Sequence, residues 1–177
     1  MIQPDMKTGA SQPLDGPNES AIPGSAWSWN PLAGDGTVSG ELSPLLVLWR
    51  SKHSGRVLPR RVDFTDTELT PWLGQLCFAY PIEPDDYVVE IAGCELEAES
   101  GVSATARRLS DVARGPLGLE ARAMYDLVLR RGLIAVVTGT DVWRQRRRIP
   151  WHGLVLPLAE DAVMVCLVAN GGAGTAT

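Results

Sequence analysis

Two apolar runs, residues 75–82 and 87–91, are separated by only Glu83-Pro84-Asp85-Asp86. A proline and paired aspartates over so few residues make a turn, and strands joined that closely can pair only antiparallel. Three further β-rich runs close the chain, at 133–143, 151–158 and 162–169. Arg144-Gln145-Arg146-Arg147-Arg148 and Ala159-Glu160-Asp161 form the turns between them. The stretch between the second and third runs is rich in Ala, Glu and Arg. Its best helix spans 119–131, with Ala121, Tyr125, Val128 and Leu129 on one side and Gly132 as its stop. Upstream, Ser43-Pro44 predicts a helix start, serine as cap and proline at the first helical position. Leu45, Leu48 and Trp49 then repeat at three and four residues, an apolar stripe. Thr65-Asp66-Thr67-Glu68 has capping-box spacing, so a short second helix is expected to run toward Gly74. The expected fold is therefore α+β. It has a five-stranded antiparallel sheet, helices inserted after the second strand, and an amphipathic helix in front. One face of the sheet packs on helices, and the other can be left for a partner.

Residues 1–40 are crowded with Gly, Pro, Ser and Asn and show no period, the mark of a flexible tail that cannot offset its ordering entropy. Trp27 and Trp29 are the exceptions, expected to dock on the folded part of the same molecule in preference to a partner chain. The domain is expected over 41–171, with a second disordered tail at 172–177. No basic and apolar leader opens the chain, so no signal peptide is expected. The apolar runs at 133–137 and 162–169 are too short to span a bilayer, so no membrane partner is expected. Cys77, Cys94 and Cys166 form no C-x-x-C pair, which suits a reducing cytoplasm. A net charge of -5 argues against nucleic acid, whose phosphates need a concentrated positive face.

The ordered series Leu48-Trp49-Arg50, Gly55-Arg56, Leu58-Pro59-Arg60-Arg61 and Asp63 is followed by the 69–76 segment. Later marks are Ile91-Ala92-Gly93, Tyr125, Gly132 and Leu154-Val155-Leu156-Pro157-Leu158. Over residues 45–171 this resembles a bacterial branch of short single-domain PAS proteins with a W-R…G…L-P-x-R opening. The resemblance implies a PAS-like fold and a role in signalling or regulation, with no defined ligand or reaction.

Residues able to carry chemistry are few. His53 and His152 share no ligand spacing, so no metal is expected. Haem-binding PAS domains supply an axial histidine from the helices before the third strand. Residues 94–131 contain none, and haem is not expected even with Met124 nearby. Cys94 invites a flavin-adduct role. It lacks the Asn-Cys-Arg setting of light-sensing relatives, and Glu95 and Glu97 would raise its thiol pKa. No cofactor is therefore expected. No nucleophile–base spacing or phosphate loop exists, so no catalytic residue is assigned and the chain is read as a non-enzyme. The acidic cluster Glu83, Asp85 and Asp86 is read as a solvated turn. Arg144, Arg146, Arg147 and Arg148, flanked by Trp143 and Trp151, form a possible anion or acidic-partner patch, or simply a charged hairpin tip.

A pocket for a small apolar ligand is expected between sheet and helices, lined by Cys77, Val89, Ile91, Tyr125, Val136 and Leu156. Leu45, Leu48 and Trp49 are the expected interface of a homodimer, and the output partner is an unknown signalling protein. The function expected is a sensory or regulatory module. The alternatives are a ligand-free protein–protein adaptor and, third, a small enzyme.

Overall fold

The computed structural model describes residues 20–22, 25–32, 36–38, 40–53, 57–113, 116–143 and 147–169. Its strands are β1 (Ser20–Ile22), β2 (Ser25–Leu32), β3 (Leu76–Ile82), β4 (Asp86–Ala92), β5 (Arg107–Arg108), β6 (Ile134–Trp143), β7 (Arg147–Pro157) and β8 (Val163–Ala169). The helices are α1 (Leu42–Lys52), α2 (Asp66–Leu69), α3 (Cys94–Ser100), α4 (Leu109–Val112) and α5 (Pro116–Arg131). All strands join one antiparallel sheet in the order β1-β2-β6-β7-β8-β3-β4-β5.

The α+β class and the antiparallel sheet match the expectation; the five-strand count does not. Part of the predicted tail, Ser25–Leu32, pairs along β6 from Ala26↔Thr140 to Leu32↔Ile134. Pairing across more than a hundred residues leaves no local periodicity to read. Trp27 and Trp29 do dock on the same molecule: Trp27 is buried, and Trp29 packs on the same cluster. Residues 1–19 and 170–177 lie outside the described residues.

A second correction concerns the free face. Leu42, Leu45, Leu46 and Trp49 of α1 are spaced as one helical stripe and are buried against Phe78, Leu154, Leu156 and Met164 of the sheet. Each such residue contributes roughly 1.5–3 kcal/mol by leaving water. The opposite face carries Ala79, Ala135, Val137, Val155 and Val163 under Leu109, Met124, Tyr125 and Val128. Both faces are thus covered. Leu45 and Trp49, assigned to a dimer interface, are 0% and 5% exposed inside their own chain, and half-buried Leu48 packs on the same cluster. The stripe also explains why α1 begins at Leu42. Pro44 then sits third in the first turn, where a missing N–H costs no helical bond.

The residues that carry the sequence resemblance hold this N-terminal layer down. Trp49 Nε1 donates to Pro157 O at 3.0 Å, and Arg50 Nη2 donates to Gly36 O at 2.6 Å. Ala159 N donates to Pro59 O at 2.9 Å, and the Arg61 guanidinium lies 4.5 Å from the centre of the Phe78 ring. Thr65 and Glu68 form the expected capping box. Lys52 adds an ion pair of 2.6 Å to Glu68, and these donors pull the Glu68 carboxyl down to about 2. Among the described residues no helix is long and apolar enough to cross a membrane.

Candidate functional site

Packing fails to fill the space between the sheet and α3–α5, leaving an apolar cavity of about 260 Å³. The floor is Trp27, Val137, Trp151, Val155, Val165 and Cys77. Val89 and Ala92 extend it toward α3. The roof is Leu96 and Glu97 of α3, Leu109 and Val112 of α4, and Met124 and Tyr125 of α5. Gly153 keeps the floor flat next to Val137, since a Cβ there would meet Cys166 O and the Leu167 side chain.

Of the expected pocket residues, Cys77, Val89 and Tyr125 line the cavity; Ile91, Val136 and Leu156 do not. The reason is strand parity, because successive side chains alternate between faces. Along β6 and β7 both faces are buried, so apolar residues run continuously and alternation gives no sign of which set points where. Val137 and Val155 face the cavity, while Leu156 and half-buried Val136 join the α1 side. Ile91 was displaced differently. A bulge between Phe78 and Ala79 pairs Ala79 with Val89 and Phe78 with Ile91, so two residues at i and i+2 face opposite ways. Ile91 is 47% exposed as a result.

The polar groups at the cavity are uncharged, with one exception. Burial pushes the Cys77 thiol up to about 12. Burial, then the neighbouring Cys77 and Tyr87, hold the proton on the Tyr125 hydroxyl. Tyr125 packs edge-on to Tyr87 at 5.2 Å, and Tyr87 in turn donates to Asp126 at 2.8 Å. The exception is Glu97. Its Oε1 accepts from Ala104 N at 2.8 Å, Thr105 N at 2.9 Å, Thr105 Oγ1 at 3.1 Å and Ser103 Oγ at 3.4 Å. These donors hold the carboxyl below its ordinary value and tie to α3 the loop that follows it, whose Val102 and Ala104 line the cavity.

A pH prediction follows. The folded pKa of Glu97 is lowered, so its contribution is fully present above the unfolded value of about 4.3. That contribution is lost as pH falls through the folded value. Wild-type protein should melt above Glu97→Gln at pH 7, and the gap should close as pH drops below about 4.3. Calorimetry across pH 2.5–7 checks this; a constant gap would show that the carboxylate charge is idle.

Other expected sites resolve differently. Asp86 is not a solvated turn residue but a buried anchor, accepting from Ser110 Oγ at 2.6 Å and from Tyr87 N at 2.8 Å. His53 caps α1 and stacks on Trp49 at 5.1 Å, whereas half-buried His152 sits on β7 opposite Thr138 and Val168. Cys94 is exposed at the start of α3. Arg144 and Arg146 lie outside the described residues; Arg147 and Arg148 begin β7, paired with Trp143 and Val142. Sequence reading did not place Trp27 and Trp151 at the cavity. Their relation depends on β2 and β7 both flanking β6, which no local signal reports. Comparison with protein-family models, curated proteins and solved structures finds no match to the chain.

Proposed function

We propose that the chain is a non-enzymatic, PAS-like sensory or regulatory module of bacterial signalling that holds a small apolar ligand and passes its state to a protein partner. The observation that carries this reading is the cavity of about 260 Å³ between the sheet and α3–α5. Its lining is almost wholly apolar, so an apolar ligand that displaces water from it is favoured by burial. Its volume falls just below the 300–1,000 Å³ typical of drug-sized sites. The placement of helices after the second strand of the β3–β4 hairpin, with β6–β8 closing the sheet, supports the PAS-like comparison. Free thiols at Cys77, Cys94 and Cys166 suit a reducing cytoplasm. Among the described residues that line the cavity no nucleophile is paired with a base, which favours binding over reaction.

Native mass spectrometry of protein purified from its own source is the test. A native mass exceeding the denatured chain by one small molecule is the expected result. Equal masses would overturn the ligand reading and favour the ligand-free adaptor.

A further inference from the structure

Tyr125 reaches the cavity from α5 and Cys77 from β3, and the two are neighbours there. Tyr125 is 7% exposed, yet its hydroxyl has no hydrogen-bond partner among the described residues. The adjoining Tyr87 gives its own hydroxyl to Asp126 and meets Tyr125 only through the edge-on contact of the rings. Among the described residues, the buried side-chain polar atoms that are both unpartnered and shut off from water are Arg122 Nε and Trp151 Nε1. The Tyr125 oxygen is not one of them, so open space touches it. Burial raises the pKa of this hydroxyl, which places the oxygen inside the molecule, and the open space that Tyr125 lines there is the cavity. Cys77 agrees: its strand is paired on both sides, yet the residue is only half-buried, and the cavity accounts for the surface it keeps. A buried hydroxyl without a partner is destabilising until one reaches it. Water serves poorly, because it needs two to four polar neighbours and this lining is mostly apolar.

Charge narrows the occupant further. Among the described residues no Lys or Arg lines the cavity, so an anion would lose its hydration with no cation to compensate. The carboxylate that does line it, Glu97, is committed to Ser103, Ala104 and Thr105, which disfavours a cation as well. For size, a cavity of roughly 150 Å³ holds one benzene, so about 260 Å³ suits about ten non-hydrogen atoms.

We propose that the cavity takes a small, uncharged, largely apolar molecule with one oxygen acceptor, and that this oxygen accepts a hydrogen bond from the Tyr125 hydroxyl. This deepens the ligand-binding reading above and rests on it. A protonated phenol offers one O–H donor, and burial keeps the proton on Tyr125 throughout the neutral pH range.

The test titrates the full chain with propiophenone and propylbenzene, which share one carbon skeleton and differ by the carbonyl oxygen. Phenylacetate, an anion of similar size, is the third probe. Isothermal titration calorimetry reads their affinities for the wild type and for Tyr125→Phe. The variant should bind propiophenone about tenfold more weakly, because the carbonyl is then buried without a donor. Propylbenzene should bind the variant as well as the wild type or better, which also shows that fold and cavity are kept. Phenylacetate should bind the wild type more weakly than propiophenone by about tenfold or more. A second readout needs no change at Tyr125: the Cζ carbon NMR signals of the three tyrosines, assigned by loss in Tyr80→Phe and Tyr87→Phe. Propiophenone should move the Tyr125 signal further than propylbenzene does. Equal movement by the two neutral probes, or an equal effect of Tyr125→Phe on both affinities, would overturn the Tyr125 assignment and leave the ligand reading standing. Preferred binding of phenylacetate would overturn the neutral-ligand assignment. If neither neutral probe binds the wild type, the proposal falls, and the native mass of protein from its own source then judges the ligand reading separately.

Discussion

Leu45→Asp is expected to leave the purified chain unfolded at 25 °C. Leu45 is 0% exposed, at the centre of the α1 stripe that faces Phe78, Leu154 and Met164. Removing a buried leucine costs about 2–5 kcal/mol, and a carboxylate left in its place adds several more. A domain of this size holds about 5–15 kcal/mol in total, so the two losses together consume most or all of it. Far-UV circular dichroism and urea denaturation would show the loss directly. The substitution discriminates between two views of this face. A subunit interface would yield a folded monomer with an intact spectrum, whereas an internal layer yields an unfolded chain. The milder Trp49→Phe keeps an aromatic ring but removes both the bond to Pro157 O and part of the buried indole, so it should cost about 2–4 kcal/mol and leave the chain folded.

Gly93→Ala is the second large effect, and its cause is close approach rather than backbone conformation. Gly93 has φ −63° and ψ 146°, open to any residue. A Cβ built there would lie well under 3.0 Å from the Gly74 carbonyl group and Leu73 O, all main-chain atoms. Main chain cannot rotate aside as a side-chain tip can. The Gly74 carbonyl is also engaged, accepting from Glu95 N at 2.9 Å and Leu96 N at 3.0 Å at the start of α3. Relief of the clash would pull α3 off the sheet edge and break these bonds. We expect a loss of about 3 kcal/mol or more, read as a lower urea midpoint. Gly132→Ala is the matching control. Its φ is +60° with nothing within 4 Å of the added carbon, so it should cost only about 1–2 kcal/mol. Equal losses at the two sites would refute the close-approach explanation.

These cases mark what a linear reading could reach. The β3–β4 hairpin, the Thr65–Glu68 capping box and the stop of α5 at Gly132 are local events, written in adjacent residues. Cys77, Val89 and Tyr125 reached the cavity because their strand or helix side could be judged from neighbours. Val136 and Leu156 did not, since a sheet buried on both sides makes both parities apolar. Ile91 failed for want of a bulge no pattern announces. The α1 stripe was recognised, but amphipathicity says only that a face is buried and never against what. Strand β2 and its two tryptophans were hidden by a segment whose composition favours disorder, and it is ordered by pairing with the distant β6.

The position of β8 has consequences for how the protein is made. It comes last of the described strands, yet it lies between β7 and β3 and joins the two parts of the sheet. Until it emerges, the earlier strands form two unconnected ribbons with raw hydrogen-bonding edges, a template for misassociation. Assembly on the ribosome is therefore a wait for the final segment. A nonsense codon ahead of Val163 should yield an aggregating product rather than a smaller working domain.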